Sequence, residues 1–166
     1  MSPRLMTTSS PATHVLFVCT GNTCRSPLAE AFFRKALNGR SDITVSSAGV
    51  SAYNGSPASA ESAQIAEKNG TSLEDFCSSE VSPDLIAKSD TVFCLTKRHA
   101  RTLLSAFPEL DEADVYLIGE FVEIDGKTGR DIPDPFGMGQ EAYQEVAAIL
   151  EKATPNLIAF IDQKKS

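Results

Sequence analysis

The segment VLFVCTGNTCRSPLAEA, residues 15–31, decides the fold of this chain. It starts with a β-branched and aromatic run, residues 15–18, that is typical of a buried strand. A loop of small and polar residues follows from Cys19 to Ser26, and Pro27 then stands where the first turn of a helix tolerates proline. The pattern predicts a strand, a tight loop and the N-terminus of a helix, with a cysteine at the start of the loop.

Strands and helices alternate along the rest of the chain. The further predicted strands are 43–49, 91–95 and 115–118, and the predicted helices run from Pro27 to just before Gly39 and over about 58–69, 83–88 and 97–107, with a helical turn at 119–122. Strands separated by helices indicate an α/β fold, with a parallel sheet covered by helices on both faces. In such sheets, ligands bind at the carboxyl ends of the strands, where Cys19 lies.

The last third of the chain has two long features. Residues 125–139 form an irregular segment, and irregular segments of that length are usually functional loops. After it, apolar residues from Tyr143 to Ile161 keep one helical phase on both sides of Pro155. This phase predicts one long helix kinked at the proline, with a break at Thr154 as the alternative.

Length and charge limit the class of protein. A chain of 166 residues suits one domain, predicted over residues 13–166 after a flexible tail at 1–12. The net charge of −7 gives no general attraction to nucleic acid or to an anionic membrane, so neither is an expected partner. No apolar run approaches the ~20 residues of a membrane-spanning helix, and the N-terminus lacks the apolar run of a secretory signal, so a cytoplasmic protein is expected.

The cysteines favour neither a disulfide framework nor a zinc site. Disulfides are the weaker interpretation, because the chain is of this size and has no secretory signal. Zinc is weaker still, because only His14 and His99 could join the cysteines around the ion. No metal and no cofactor is therefore expected. The four residues are Cys19, Cys24, Cys77 and Cys94.

The loop after the first strand predicts a site for an oxyanion. Its successive backbone N–H groups lead into a helix N-terminus, and both features favour a bound anion. Gly21 and Asn22 are residue types that accept the left-handed or otherwise strained backbone that such a loop requires. Arg25 adds a planar fork of donors for two phosphoryl oxygens. The predicted phosphate-binding residues are Thr20, Gly21, Asn22, Thr23, Cys24 and Arg25.

Cys19 is the candidate nucleophile of this loop. A helix N-terminus and an adjacent arginine lower the pKa of a thiol, so a thiolate is expected at neutral pH. The Ser26 hydroxyl, at the end of the same loop, is a candidate hydrogen-bond donor to that thiolate. The same bond would stabilise the thiolate when it becomes the leaving group. The alternative is that Cys19 is only a small buried residue at the end of a strand.

The run CTGNTCRSP, residues 19–27, resembles the C-x5-R-S phosphate loop of the low-molecular-weight protein tyrosine phosphatase family. The resemblance continues through Ser-Ala-Gly at 47–49 and TVFCLT at 91–96 to Asp-Pro-Phe at 134–136, so it covers the chain from about residue 13 onward. It implies a three-layer fold with a four-stranded parallel sheet, phosphorylated proteins as substrates, and two-step hydrolysis through a phosphocysteine without a metal. A monomer is expected.

The resemblance also assigns roles outside the loop. It implies that Asp134 protonates the leaving group and then, as a base, activates water. Asp131 is a competing acid by position, and an aspartate before proline is also a common turn former. Asn22 and Ser47 are implied to brace the phosphate loop through hydrogen bonds.

Thr23 bears on the choice of substrate. Tyrosine-directed members carry a bulkier aliphatic residue there, whereas the CTGNTCRSP form is similar to that of protein arginine phosphatases in the same family. A small hydroxyl leaves room for a planar guanidinium and gives it an acceptor, while an aliphatic wall favours an aromatic ring. Phe136 is predicted to be an aromatic wall of the pocket. We therefore expect phosphoarginine as the substrate, with phosphotyrosine as the alternative.

Three further hypotheses concern the thiols and the loop. The resemblance implies a reversible Cys19–Cys24 disulfide, against which stands a simply packed Cys24. Arsenate reduction would need a thiol relay, for which Cys77 is available but Cys94, inside a strand, is not. A non-catalytic phosphate-binding module would need neither the thiol nor the acid.

Overall fold

The structure is a computed structural model that describes residues 11–165, so residues 1–10 of the predicted tail lie outside the described part. Its strands are β1 (Thr13–Cys19), β2 (Ile43–Gly49), β3 (Thr91–Cys94) and β4 (Val115–Leu117). Its helices are α1 (Arg25–Leu37), α2 (Ala60–Lys68), α3 (Pro83–Lys88), α4 (Lys97–Ala106) and α5 (Gln140–Lys165), with 3₁₀ turns at Glu112–Asp114 and Ile118–Phe121. None of the helices described is both long and apolar enough to cross a bilayer.

The four strands form one parallel sheet in the order β2-β1-β3-β4. From Val15 to Val18, the side chains of β1 are fully buried and alternate between the two faces. Phe17 packs with residues of α1, α2 and α5, including Leu28 and Ile65, whereas Leu16 packs against α3 and α4 on the other face, near Leu103. The predicted three-layer α/β fold is therefore confirmed, and β1 lies at its centre because its apolar run can cover both faces.

The C-terminal residues form a single helix, α5, that continues through Pro155. The predicted single helix is confirmed, and the alternative of a break at Thr154 is wrong. The Thr154 hydroxyl donates to the Leu150 carbonyl at 2.7 Å, one turn earlier. Buried residues on both sides of the proline, such as Val146 and Leu157, hold this helix against the core, so packing outweighs the local preference of proline.

Some element boundaries differ from the predicted ones. β1 begins at Thr13 rather than Val15, because pairing with β2 extends to the Thr13–Ile43 pair. α2 begins at Ala60 rather than near residue 58, because the Ser59 side chain caps it by accepting from the N–H of Ser62 at 3.3 Å.

Candidate active site

The phosphate loop joins the carboxyl end of β1 to the N-terminus of α1. Since β2 lies on one side of β1 and β3 on the other, this edge is where the strand order reverses, the usual ligand position in such sheets. Two hydrogen bonds tie the loop to the segment after β2, from Val50 N–H to the Cys19 carbonyl (3.0 Å) and from Ser51 N–H to the Thr20 carbonyl (2.9 Å). A Cβ on Gly49 would lie 2.4 Å from that Thr20 oxygen, so only glycine allows this approach.

Asn22 is the loop residue in the left-handed conformation, with φ of 55°. The φ of Gly21 is not positive, so within the loop from Cys19 to Ser26 the left-handed conformation falls on Asn22. The Asn22 amide donates to the hydroxyls of Ser26 (2.8 Å) and Ser47 (3.0 Å), and its oxygen accepts from the N–H of Ser79 (2.8 Å). These three bonds offset the backbone strain and hold the curve of the loop.

Ser47 connects the loop to a buried carboxylate on α1. Its hydroxyl donates to Glu30 Oε1 at 2.6 Å, and Glu30 also pairs with Arg34. A continuous chain of hydrogen bonds therefore runs from Glu30 through Ser47, Asn22 and Ser26 to the sulfur of Cys19. No local sequence pattern marks Glu30 for this contact, so it was not predicted.

The sulfur of Cys19 is surrounded by donors but buried. The residue is 3% exposed, its Sγ lies 2.8 Å from Ser26 Oγ, and the N–H of Asn22 points at it from 3.3 Å. Because Ser26 Oγ accepts from the Asn22 amide, its own proton is free to point at the sulfur. Burial raises the pKa of the Cys19 thiol, against the lowering effects of Ser26, the Arg25 charge and Asn22. The expectation of a lowered pKa is therefore contradicted: the predicted donors are present, but desolvation outweighs them.

Arg25 joins the phosphate loop to the long irregular segment. The side chain is almost wholly buried, and its Nη1 donates to the carbonyl of Ile132 at 2.9 Å. Its Nη2 lies 3.8 Å from Oδ2 of Asp134, whose side chain is 59% exposed. The guanidinium is thus held in place by the protein while Asp134 remains open to solvent and to a ligand.

The two candidate acids have different surroundings. Asp131 Oδ1 accepts from the N–H of Lys97 at 2.8 Å, which caps the start of α4. Asp134 Oδ1 accepts from the N–H of Phe136 at 3.1 Å, an Asx-type turn that leaves Oδ2 toward Arg25. Asp134 therefore lies beside Arg25 in the cavity that Cys19 also lines, whereas Asp131 is bonded to the start of α4.

A cavity of about 230 Å³ contains most of the predicted site residues. Thr23 lies in its wall, and its hydroxyl has a weak contact with the sulfur of Cys24 at 3.8 Å. Phe136 lies at its exposed side, with 74% of its surface accessible. The residues lining the cavity are Cys19, Thr20, Gly21, Thr23, Cys24, Arg25, Asp134 and Phe136.

The cysteines are free thiols throughout residues 11–165. Cys24 is buried, with its sulfur 3.2 Å from the Tyr143 hydroxyl, so its pairing with Cys19 stays a prediction. Cys77 is exposed, whereas burial raises the pKa of Cys94 to about 12. Over the same residues, no group of three or more His, Cys, Asp or Glu side chains is arranged to hold a metal ion.

His99 was not singled out as a site residue, although it contacts the loop. It lies in the first turn of α4 and is 4% exposed, and its Nε2 is 2.8 Å from the Thr20 hydroxyl oxygen. Burial and the nearby Arg25 charge lower its pKa to about 4. A histidine just after the carboxyl end of a predicted parallel strand was the available signal.

Comparison with known proteins agrees with this geometry. Residues 14–166 match the family model described as low molecular weight phosphotyrosine protein phosphatase. The chain belongs to this family. The low molecular weight protein-tyrosine-phosphatase Etp of Escherichia coli K12 is 33% identical to it over 140 residues, which cover 84% of this chain and 88% of Etp. This phosphatase is accordingly a hydrolase of a family that acts on phosphorylated proteins.

Solved structures of the family share the fold. A low molecular weight protein tyrosine phosphatase from T. tengcongensis is 36% identical, with a TM-score of 0.79 over 89% of this chain and 99% of the other. The YwlE arginine phosphatase from Geobacillus stearothermophilus is 32% identical, with a TM-score of 0.81 over 92% and 95% of the two chains. The fold is therefore shared with relatives named for either substrate.

Proposed function

We propose that this phosphatase removes phosphoryl groups from protein side chains through a phosphocysteine on Cys19, and that phosphoarginine is its preferred substrate. The observation that carries the proposal is the small polar side chain of Thr23 in the wall of the same cavity as Cys19, Arg25 and Asp134. The proposal is also supported by the similarity to the YwlE arginine phosphatase.

In the first step, the Cys19 sulfur attacks phosphorus in its thiolate form, which Ser26, Asn22 and the Arg25 charge stabilise against the raised pKa of the buried thiol. An S–P bond forms while the bond from phosphorus to the side-chain nitrogen breaks, and Asp134 gives its proton to the departing nitrogen. The loop N–H groups and the Arg25 guanidinium hold the phosphoryl oxygens as their charge is redistributed. Since Arg25 is already held by the Ile132 carbonyl, it needs little reorganisation to do so.

In the second step, Asp134 is a carboxylate and takes a proton from water. The oxygen of that water attacks phosphorus, the S–P bond breaks, and inorganic phosphate leaves together with a Cys19 thiolate. The Ser26 hydroxyl, 2.8 Å from the sulfur, and the N–H of Asn22 stabilise this leaving group. The chain of bonds back to Glu30 keeps both donors aimed at it.

The preference for phosphoarginine rests on acceptors in the cavity. Because the contact of the Thr23 hydroxyl with the Cys24 sulfur is weak, its oxygen can accept an N–H from a guanidinium. The exposed carboxyl group of Asp134 can accept an N–H from the same group through one oxygen and, in its protonated form, donate the proton of the other oxygen to the departing nitrogen. A phosphorylated phenol would offer neither of these N–H donors.

Phosphotyrosine is the second candidate. The exposed ring of Phe136 beside the cavity offers an aromatic substrate a surface to stack on. The Etp relative named above is a protein-tyrosine phosphatase. Both substrates would use the same nucleophile and acid, so the cavity wall decides between them.

The catalytic roles are tested with a matched pair of aspartate variants. Cys19→Ser should abolish turnover of an aryl phosphate, and Asp134→Asn should lower kcat by roughly 10²–10⁴-fold. Asp131→Asn keeps an oxygen for the Lys97 N–H and should leave kcat nearly unchanged. Equal losses in the two aspartate variants would show that the acid is misassigned.

Substrate choice is tested at Thr23, by comparing kcat/KM on phosphoarginine and phosphotyrosine peptides. Thr23→Val removes the acceptor at constant shape, Thr23→Ile adds bulk as well, and Thr23→Ser keeps the hydroxyl. We expect the preference for phosphoarginine to survive in Thr23→Ser, to weaken in Thr23→Val and to reverse in Thr23→Ile. A wild-type preference for phosphotyrosine that Thr23→Ile leaves unchanged would contradict the proposal.

A further inference from the structure

One buried nitrogen near the phosphate loop has no partner among the described residues. His99 Nδ1 is buried and makes no hydrogen bond, whereas Nε2 of the same ring lies 2.8 Å from Thr20 Oγ1. An orphaned buried N–H is more costly than an orphaned lone pair, so the proton of the neutral ring belongs on Nε2. The low pKa of His99 agrees with a neutral ring at physiological pH.

The position of the ring is fixed by the first turn of α4. The N–H of His99 donates to the capping hydroxyl of Thr96 at 3.1 Å, and the N–H of Lys97 donates to Asp131 at 2.8 Å. The helix is thereby attached to the segment that carries Asp134. The imidazole consequently approaches Thr20 from a rigid element and cannot easily turn away.

This tautomer determines what the Thr20 hydroxyl can do. With Nε2–H donating, Thr20 Oγ1 is an acceptor on that side, and its single proton must point elsewhere. Thr20 is exposed and lines the cavity that contains Cys19 and Arg25. Its O–H is therefore available as a donor on the side where an anion would be held.

We propose that His99 is a positioning residue that makes the Thr20 hydroxyl a hydrogen-bond donor to the phosphoryl group. The inference rests on the proposed function only in taking this cavity as the phosphoryl site. Its ligand class is a tetrahedral oxyanion, either the phosphoryl group of a substrate or free phosphate. The donor adds to the loop N–H groups and the Arg25 fork, and it exists only while the ring donates to Thr20.

The test measures the affinity for inorganic phosphate by calorimetry and by competitive inhibition of aryl phosphate hydrolysis. Thr20→Val removes the hydroxyl at constant shape. The variants His99→Asn and His99→Gln both put a side-chain amide at this position, but only the longer side chain of His99→Gln brings an N–H to the position of Nε2. We expect Thr20→Val and His99→Asn each to weaken phosphate binding roughly tenfold or more, and His99→Gln to recover most of that loss.

The double variant Thr20→Val/His99→Asn shows whether His99 acts on phosphate only through the Thr20 hydroxyl. If it does, the double variant should lose as much phosphate affinity as either single variant. Additive losses would overturn the inference. Unchanged affinity in Thr20→Val, or equal losses in the asparagine and glutamine variants, would also overturn it. If His99→Asn does not fold, Thr20→Val decides alone. A wild-type protein that neither binds phosphate nor hydrolyses phosphoesters would instead refute the proposed function.

Discussion

Replacing Ser26 with alanine tests the electrostatics of the nucleophile directly. The change removes a hydroxyl 2.8 Å from the Cys19 sulfur and leaves the Asn22 amide its second acceptor, Ser47. The hydroxyl stabilises the thiolate and not the neutral thiol, so its loss favours the protonated form. The pKa of Cys19, which burial already raises, should therefore rise further.

The size of the effect follows from one hydrogen bond to a charged atom. Such a bond contributes about 1.5–3 kcal/mol, which corresponds to roughly a ten- to hundredfold smaller thiolate fraction at a pH below the pKa. A more basic thiolate is also a better nucleophile, with a Brønsted slope of about 0.5, so about half of the logarithmic loss returns. We expect alkylation of Cys19 at pH 7 to slow by about three- to tenfold.

The assay is the rate of iodoacetamide alkylation of the Cys19 peptide, followed by mass spectrometry across pH in wild type and Ser26→Ala. Cys77 is exposed and far along the chain, so its alkylation in the same samples is an internal reference. At high pH, where Cys19 is ionised in both proteins, the two curves should cross, because the more basic thiolate of Ser26→Ala then reacts faster. Alkylation of Cys19 in Ser26→Ala as fast as in wild type at pH 7 would refute the reasoning.

Three more predictions concern the scaffold. Gly49→Ala places a Cβ 2.4 Å from the Thr20 carbonyl oxygen and should displace the loop. The variant should lose about a hundredfold in kcat/KM while its circular dichroism spectrum is retained, and full activity would contradict this. Pro155→Ala restores a donor on the exposed side of α5 and should raise the free energy of unfolding by up to about 3 kcal/mol; an unchanged urea midpoint would count against it. His99 has its pKa lowered from 6.5 to about 4, so wild type should lose stability, on the order of 3 kcal/mol, as the pH falls from 6.5 through 4. His99→Gln should flatten that part of the stability curve, and identical curves would show that another group is responsible.

Much of the fold follows from local patterns. The segment from β1 into α1 is readable because the apolar run, the small-residue loop and Pro27 are adjacent, and Cys19, Ser26 and Arg25 all lie in it. Asp134 could be named because a family motif marks it; residue type alone left Asp131 as a competitor. In the structure, the bond from the Lys97 N–H to Asp131 and the position of Asp134 beside Arg25 separate the two.

Contacts between distant segments were harder to predict from the sequence. Ser47 was named as a brace, but its bond to Glu30 depends on β2 lying beside β1 and under α1. His99 lies just after a predicted strand, but its contact with Thr20 depends on how α4 is placed against the phosphate loop, so its position in the sequence did not identify its role.

By itself, then, the sequence determined the order of strands and helices and indicated the candidate anion-binding loop with its candidate nucleophile, because these depend on residues close together in the chain. The tertiary structure alone decided the strand order, the partners of the loop and the direction in which the pKa of Cys19 moves. The predicted donors do surround that sulfur, but the packed core also removes it from water, and desolvation is a property of the whole fold.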